Sequence, residues 1–499
     1  MTGADTDVVI SGAGPTGLML ALWLTRLGVR VRVADLKPGP VQETRAIAVQ
    51  ARTLEFYDQL GVGDAAMKLG RHFAAVSLFV RGRRRAAVSL RGVGDDLTPH
   101  PYLYILTQDR NEELLVSELA RLGVSVDWNT EVTGLSQDDT GVSVTLRRAG
   151  QDEVVRAAYV AGCDGAGSVV RHALGIPLSG GTYTQRFFVA DVDATGAIRD
   201  GDLNLSLTTH RFLAFFPMPE PGRHRVVGEF PPELDEAAGF EAVRGQIEAD
   251  GLARVSQVHW FATYHVHHRV ADRFPQGRAF IRGDAGHVHT PVGGQGMNTG
   301  LGDASNLAWK LEQGVRGRPA ALNTYGPERR PFALSLVNTT DRVFTTIVNP
   351  SRLAAWVRTV LAPTVLPRVM RFQAARRFLF LTVSQTRLHY PDSPLSRGRA
   401  GRTMGGMRLP WVRGAGADNF AALRSLSWQV HVYGTPQPAL LTWCGVRDVP
   451  LHVFAFGPVA RRAGLAENAV YLVRPDGYVG LAQPTLDRTA LDAYADRWL

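Results

Sequence analysis

A glycine-rich loop near the amino terminus has the residue types and spacing that hold a phosphate group. The apolar run 8–10 predicts a short buried strand, and Gly12-Ala13-Gly14-Pro15-Thr16-Gly17 follows it directly. Gly12 permits a tight turn, Gly14 lets the backbone approach an anion, and Gly17 lets the next helix pack against the strand. The helix predicted over 18–27 points its free N–H groups at the same place. The loop therefore predicts a site for the pyrophosphate of a dinucleotide.

A carboxylate ends the strand that follows this helix. Alternating residues over 29–33 predict that strand, and Asp35 stands at its end. A carboxylate in this place accepts hydrogen bonds from a ribose 2′-hydroxyl and repels a 2′-phosphate. The complete strand–helix–strand unit predicts a Rossmann-like domain that binds FAD or NAD rather than NADP.

A second cluster of glycines follows a strand predicted over 278–281. It consists of Arg282-Gly283-Asp284-Ala285-Gly286-His287 and, shortly after, Pro291-Val292-Gly293-Gly294-Gln295-Gly296-Met297-Asn298. A strand-end carboxylate such as Asp284 can accept a hydrogen bond from a ribityl hydroxyl, and the glycines let the backbone pass close to a flat ring. A helix predicted to begin near Gly296 directs a second positive helix end at the ligand. An ordinary glycine-rich loop does not account for this combination.

Three motifs in this order resemble those of the class A flavoprotein monooxygenases, the family of p-hydroxybenzoate and phenol hydroxylases. They are the loop at 12–17, the pair Asp164-Gly165 and the pair Gly283-Asp284, within a resemblance that spans roughly residues 5–385. The resemblance implies that Arg45 lies against the flavin, that Gln108 contacts FAD and that Asp164-Gly165 serves both FAD and NAD(P)H. The expected cofactor-binding residues are Gly12, Gly14, Pro15, Thr16, Gly17, Asp35, Arg45, Gln108, Asp164, Gly165, Asp284, Pro291, Gly294, Gly296, Met297 and Asn298. The expected substrate-binding residues are Phe215, Phe216 and Pro291.

The same resemblance implies an enzyme that hydroxylates an aromatic, phenolic substrate, closest to the hydroxylases of aromatic polyketides. Non-covalent FAD, reduced by NADPH or NADH, would react with O2 to a C4a-hydroperoxide that transfers oxygen to an electron-rich carbon. The sequence indicates no particular residue as a catalytic acid or base. Three alternatives stay open: another oxidation by the same flavin chemistry (Baeyer–Villiger insertion, epoxidation or attack on an antibiotic), an FAD dehydrogenase, and a non-catalytic FAD-binding scaffold.

The order of predicted elements indicates an α/β protein of three domains. A discontinuous FAD-binding domain is predicted over 1–175 and 267–395, and a strand-rich, substrate-binding sheet domain is inserted at 176–266. Residues 400–499 weakly resemble a thioredoxin-like domain, with strands predicted over 438–443, 451–456 and 470–474. The stretch 396–416, rich in Gly, Arg and Pro, is interpreted as a linker.

Composition narrows the partners to small molecules. The net charge of +9 over 499 residues is spread along the chain, so nucleic-acid binding is not expected. The basic segment 357–377 could face a membrane, but a helix that caps its domain is favoured. No run approaches the roughly 18 apolar residues that span a bilayer, and no leader is evident, so we expect a cytoplasmic monomer or homodimer. Cys163 and Cys444 lie far apart, and His287 and His289 have no acidic neighbours, so no metal site is expected.

Overall fold

Strands and helices alternate at the amino terminus, whereas long helices follow residue 296. The computed structural model describes residues 4–42, 46–73, 75–89, 91–207, 212–290, 294–349, 351–414 and 418–499. In chain order its strands are β1 (Thr6–Ser11), β2 (Val31–Asp35), β3 (Ala48–Val49), β4 (Arg71–Phe73), β5 (Ala75–Val80), β6 (Arg83–Ser89), β7 (Leu103–Ile105), β8 (Val126–Trp128), β9 (Thr130–Gln137), β10 (Val142–Arg148), β11 (Gln151–Gly162), β12 (Leu178–Gly196), β13 (Leu203–Leu207), β14 (Phe212–Pro217), β15 (Arg223–Phe230), β16 (Ala253–Ala271), β17 (Pro275–Gln276), β18 (Ala279–Ile281), β19 (His287–Val288), β20 (Arg397–Ala400), β21 (Thr403–Met404), β22 (Gln429–Tyr433), β23 (Leu451–Phe454), β24 (Val470–Val473) and β25 (Val479–Gln483).

The helices are distributed along the whole described chain. In chain order they are α1 (Pro15–Arg26), α2 (Ala51–Gln59), α3 (Gly63–Leu69), α4 (Gln108–Arg121), α5 (Val169–Ala173), α6 (Phe240–Glu248), α7 (Gly296–Val315), α8 (Tyr325–Val348), α9 (Arg352–Trp356), α10 (Ala362–Val369), α11 (Gln373–Val383), α12 (Pro438–Arg447), α13 (Pro458–Ala463) and α14 (Arg488–Trp498). A π-helical turn, Val357–Leu361, joins α9 to α10. No helix among the described residues is long and apolar enough to cross a membrane.

The first sheet confirms the strand–helix–strand unit predicted from the glycine loop. Parallel strands run in the order β18-β11-β1-β2-β8, with the antiparallel strands β17, β10 and β9 added. Its apolar strands pack with α1, α4 and α7 in one core, in which Val8, Val9 and Ile10 of β1 are fully buried. The carboxyl ends of β1 and β2 therefore present the first glycine loop and Asp35 at one edge of the sheet.

A second sheet of eight strands holds the inserted segment. Its order is β19-β16-β12-β15-β14-β13-β5-β6, so the hairpin of β5 and β6, from outside residues 176–266, completes one edge. Strands β12 and β16 are long and antiparallel, and β16 runs back to the loop before α7. The predicted boundaries of the domains remain a prediction.

The carboxy-terminal region forms a third unit, with a mixed sheet in the order β21-β20-β25-β24-β22-β23. Two predictions for this region are wrong. The stretch 396–416 is not a plain linker, because β20 pairs with β25. The strand predicted over 438–443 is the helix α12: Pro438 occupies its first turn, and Leu440, Trp443 and Cys444, spaced as on one helix face, are its buried residues.

Buried charges join the carboxy-terminal unit to the helices α2, α7 and α8. Arg474 is fully buried and donates to Glu328 of α8 at 2.8 and 3.0 Å and to Asp476 at 2.6 Å. Arg52 of α2 donates to the carbonyl of Asp476 at 2.6 Å, and Lys310 of α7 pairs with Glu328 at 2.8 Å. Burial raises and the cations lower the pKa of Glu328, and the cations prevail.

We predict that Arg474→Met costs about 3–5 kcal/mol of unfolding free energy, because it leaves buried carboxylates without their cation. The matched control is Arg447→Met, which breaks the exposed pairs of Arg447 with Asp492 and Asp496 and should change stability little. Urea unfolding of the FAD-loaded protein measures both. Equal losses in the two variants would contradict the importance of the buried cluster.

Candidate functional site: two glycine loops at the ends of two helices

The first glycine loop has the backbone shape that its sequence predicts. Gly12 has φ of +99°, and a Cβ added there would lie 2.5 Å from the carbonyl oxygen of Cys163. A Cβ at Gly17 would overlap the carbonyl oxygen of Gly12, whereas one at Gly14 would meet no described atom within 4 Å. Close packing therefore requires two of the glycines, and Gly14 borders open space.

Asp35 ties the end of β2 to this loop. One of its carboxylate oxygens accepts from the backbone N–H of Ala13 at 2.6 Å, and the other accepts from that of Lys37 at 2.8 Å. Lys37 Nζ lies 3.8 Å from Asp35 and 3.7 Å from Glu112. The carboxylate thus fixes the loop, and its contact with a ribose remains a proposal.

Glu112 was not singled out from the sequence. It lies near Asp35 in the structure, because Lys37 approaches both carboxylates. It is fully buried on α4, where Gln108 Nε2 donates to it at 3.0 Å and the N–H of Val41 donates at 2.9 Å. Burial raises the pKa of Glu112 above its usual value. The available signal was that Glu112 stands three and seven residues before Leu115 and Leu119, on one side of a helix. Gln108, predicted to contact FAD, is hydrogen-bonded to this carboxyl group.

The second glycine loop lies directly against the first. Gly283 has φ of +55°, and a Cβ there would approach Thr16 Oγ1 to 2.7 Å. A Cβ at Gly300, one turn into α7, would overlap the same hydroxyl group. The two motifs, more than 260 residues apart in sequence, therefore meet through Thr16 with no room for a methyl group between them.

The Asp-Gly motif joins the same cluster from β11. Asp164 lies next to Gly12, and its Oδ2 accepts from Ser11 Oγ and from the N–H of Val170, both at 3.2 Å. Gly165 has φ of +76°, and a Cβ there would meet no described atom within 4 Å. Burial raises the pKa of the neighbouring Cys163 thiol to about 12, so this cysteine is not a nucleophile.

Asp303 of α7 organises the second loop, and sequence reasoning missed it. Its carboxylate accepts from the backbone N–H of Gly283 at 3.2 Å, from His287 Nε2 at 2.7 Å and from Arg329 Nε at 2.5 Å. Burial opposes ionisation, but the nearby cations outweigh it and lower the pKa of Asp303. The available signal was that Asp303 is the only Asp, Glu, Lys or Arg between residues 285 and 309.

The remaining predicted residues differ in how their side chains are used. Asn298 is buried, and its amide group bonds to Gln50, Thr53, Ala48 and Gly294, all at 2.8 Å. Its side chain therefore holds α2 and the second loop together. Met297 is partly buried beside Asn111, at the start of α7. Asp284, directly after Gly283, is exposed. Arg45 and Pro291 lie outside the described residues.

The two histidines of the second loop have different surroundings, and His287, contrary to the expectation from sequence, has an acidic neighbour. His287 is bonded to Asp303, and burial lowers the pKa of His289 to about 4, so a neutral ring lies beside Gly296. Over the described ranges, no three His, Cys, Asp or Glu side chains are arranged to hold a metal ion.

The arrangement fits a dinucleotide such as FAD. The helices α1 and α7 begin next to each other at Thr16, and within the described residues neither amino terminus has a side-chain cap. Their N–H groups and positive ends are thus open to an anion. Open space at Gly14, a loop carboxylate at Asp35 and an exposed carboxylate at Asp284 complete a site of the right chemistry for a pyrophosphate and hydroxyl groups.

Comparison with known proteins defines the class. A family model described as "FAD binding domain" matches residues 5–340. The chain therefore belongs to this family of FAD-binding proteins, and its relatives show it to be an FAD-dependent monooxygenase, an oxidoreductase that uses NAD(P)H and O2.

Several of the relatives are named for monooxygenation of tetracycline-pathway compounds. The chain is 38% identical to 6-methylpretetramide 4-monooxygenase of Streptomyces rimosus, over 79% of this chain and 71% of the relative. It is 32% identical to a 12-dehydrotetracycline 5-monooxygenase/anhydrotetracycline 6-monooxygenase of Streptomyces rimosus subsp. rimosus, over 95% and 94%. Among solved structures it matches the anhydrotetracycline hydroxylase OxyS of Streptomyces rimosus with a TM-score of 0.78 and 29% identity, over 99% of both chains. The likeness thus includes the carboxy-terminal unit.

We predict that Gly300→Ala weakens FAD binding, although alanine in a helix is ordinarily about 1 kcal/mol better than glycine. The added methyl group collides with Thr16 Oγ1 and pushes the two loops apart. Equilibrium dialysis of FAD measures the effect. The double variant Thr16→Ala/Gly300→Ala removes the collision and should bind FAD as Thr16→Ala does. Tighter FAD binding by Gly300→Ala alone would refute the packing argument.

Proposed function

We propose that the protein hydroxylates a polycyclic phenol of the aromatic polyketide class. The named relatives act on tetracycline-type substrates, and their names do not favour the alternative oxidations or a dehydrogenase. The substrate would lie between the glycine loops and one face of the eight-stranded sheet.

The observation that carries this proposal is the difference between the two faces of that sheet. One face is a closed core, where Phe188, Leu213, Phe215 and Val226 pack with α6. The other face is mostly apolar and less completely buried, and by strand register it carries Leu205, Leu207, Phe212, Phe216, Val227 and Tyr264. Phe212 and Tyr264 pack there with Phe344 of α8, so we assign the rest of the face to the ligand. A broad apolar wall of this kind suits a flat, multi-ring ligand.

The two phenylalanines predicted to bind substrate therefore have different positions. Phe215 is fully buried on the α6 side of β14. Phe216, on the opposite side, packs with Ile47, Ile105 and Met218. Ala48, next to Ile47, contacts Gly294 of the second loop. We keep Phe216 as a proposed substrate contact and assign Phe215 to the core.

Arg225 supplies a cation on the same face. It stands directly opposite Phe216 in the sheet, and its Nε and Nη2 donate to Asp191 at 2.7 and 2.6 Å. Its Nη1 is buried and has no hydrogen-bond partner among the described residues. A buried donor of this kind needs an acceptor, so we propose that Nη1 binds a phenolate or carbonyl oxygen of the substrate.

The glycine loops hold the cofactor in this proposal. The first loop and α1 would bind the pyrophosphate, Asp35 the adenosine ribose and Asp284 the ribityl chain, with Arg45, Gln108, Asp164-Gly165 and Pro291 as further contacts. When bound, FAD supplies the redox chemistry that takes hydride from NADH or NADPH and activates O2. The chain's own residues bind and orient the substrate, and the apolar wall keeps water away. Both cysteines are free thiols, which fits the reducing cytoplasm that we propose.

We predict that a polycyclic phenol speeds NAD(P)H oxidation several-fold over the substrate-free rate, and more than p-hydroxybenzoate does. A ligand can shift a conformational equilibrium only by binding its states unequally, and the broad wall favours the larger ligand. Stopped-flow flavin reduction tests the rates, and product mass after reaction under 18O2 tests hydroxylation. Equal reduction rates with every phenol would contradict the proposal, as would a product without label.

We predict that Arg225→Met weakens binding of that phenol about 10- to 150-fold, the usual range for losing a hydrogen bond to a charged group. It should also raise the pH at which the bound phenol ionises, because a cation favours the phenolate. Absorbance titrations of the bound phenol measure both quantities. The control is Arg244→Met on α6, across the sheet, which breaks a pair with Glu241 and should leave both unchanged. An unaltered phenol titration in Arg225→Met would remove this role.

A further inference from the structure

The helices α9 to α11 present an unusual surface to solvent. More than half of the large hydrophobic side chains that the described residues expose lie between 353 and 378. They are Leu353, Trp356, Val360, Leu361, Val365, Val369, Phe372 and Phe378, with exposures from 38% at Leu361 to 71% at Leu353. From Leu353 to Phe372 most of the intervals are three or four residues, which is the spacing along one side of a helix. We call these residues the apolar strip. A contiguous exposed patch of this kind marks an interaction site.

The chain segment that carries the apolar strip has arginines but no acidic residue, although Asp96 of a neighbouring loop pairs with Arg377. From 342 to 391 the sequence has arginines at 342, 352, 358, 368, 371, 376, 377 and 387 and no aspartate, glutamate or lysine. Arg352, Arg368, Arg371 and Arg387 are exposed. The hairpin of β5 and β6, which carries the exposed arginines 81, 83, 84 and 85, lies beside α10. A cleft of about 540 Å³ between them is lined by Arg85, Arg368 and Arg371 together with threonines, prolines and Val360.

We propose that this surface docks on an anionic lipid bilayer, with the apolar strip in the headgroup region and the arginines on lipid phosphates. Exposed Trp, Phe, Leu and Val beside clustered arginines are the features of a helix that lies in a membrane interface. The basic cleft is of a size and charge to take a phosphate headgroup. The interaction is peripheral and does not depend on the proposed substrate.

A second copy of the chain fits this surface less well. A two-fold contact would place the same patch against itself, and the arginines at its edges would then face other arginines. Like charges brought together at an interface oppose association. A bilayer that contains anionic lipid meets the apolar strip and the arginines at once.

The test is cosedimentation of the FAD-loaded protein with vesicles. Vesicles of equal parts phosphatidylcholine and phosphatidylglycerol should bind the protein at low salt, and pure phosphatidylcholine should bind it far less. Binding should weaken as salt is raised, because the screening length falls from about 10 Å at 0.1 M to about 3 Å at 1 M. Absence of binding to the anionic vesicles would overturn the proposal.

Matched variants separate this surface from general basicity. Arg352→Gln/Arg368→Gln/Arg371→Gln should weaken binding by about five-fold per charge, or on the order of 100-fold in all. Leu353→Ser/Trp356→Ser/Phe372→Ser should also lose binding. The control Arg148→Gln/Arg424→Gln/Arg462→Gln removes three exposed arginines elsewhere and should bind like the wild type. An equal loss in the control would overturn the proposal.

Sedimentation velocity on the same proteins decides between a bilayer and a second copy. The mass in solution should be the same for the wild type and for the variant that lacks three residues of the apolar strip. A wild-type dimer that becomes a monomer in that variant would assign the surface to a second copy and refute lipid docking. Retained FAD and an unchanged melting temperature show that the variants fold.

Discussion

The buried carboxylate of Asp303 is the interaction on which the site depends. One group accepts from the backbone of Gly283, from His287 and from Arg329, and so joins the second glycine loop to α7 and α8. A buried carboxylate must be paired to remain ionised, and here two partners belong to the second glycine loop and the third belongs to α8. The fully buried carboxylate of Asp303 accepts from the backbone N–H of Gly283 and so stabilises the left-handed turn at that residue.

From Asp303, polar contacts continue into the carboxy-terminal unit. Arg329 Nη1 donates to the hydroxyl of Tyr390 at 2.9 Å, and the ring of Tyr390 lies 4.8 Å from that of Tyr478. Arg474 and Asp476, on either side of the same turn, bind Glu328 and Arg52. The carboxy-terminal unit thus supports α2 and α8, which in turn hold Asn298 and Asp303 in place. Its single cysteine, Cys444, has a pKa raised to about 11 by burial, which suits structural support and not thiol chemistry.

The eight-stranded sheet serves two purposes because side chains alternate along a strand. In β14, Leu213 and Phe215 complete a core with α6, while Phe212 and Phe216 point to the other side. The same alternation in β15 places Val226 in the core and Arg225 on the half-buried face. The closed core on one side therefore supports, on the other side, the half-buried face that we propose for the substrate.

The sequence by itself determined the glycine loops, the first strand–helix–strand unit and the class of cofactor. These are local features: the turns at Gly12 and Gly283 need a residue without a side chain, and the apolar periods of β1 and α1 are readable within a few residues. The error at α12 was also local, because a short apolar run suits a strand or a buried helix equally well.

Tertiary structure alone decided how these features combine. No local pattern places Thr16 between Gly283 and Gly300, pairs Asp303 with Arg329, or puts Phe215 and Phe216 in different environments. Each of these outcomes depends on which distant segment packs against the residue. A sequence states the type of each side chain, but the burial and the partner that give a charge or a ring its function arise only when distant segments meet.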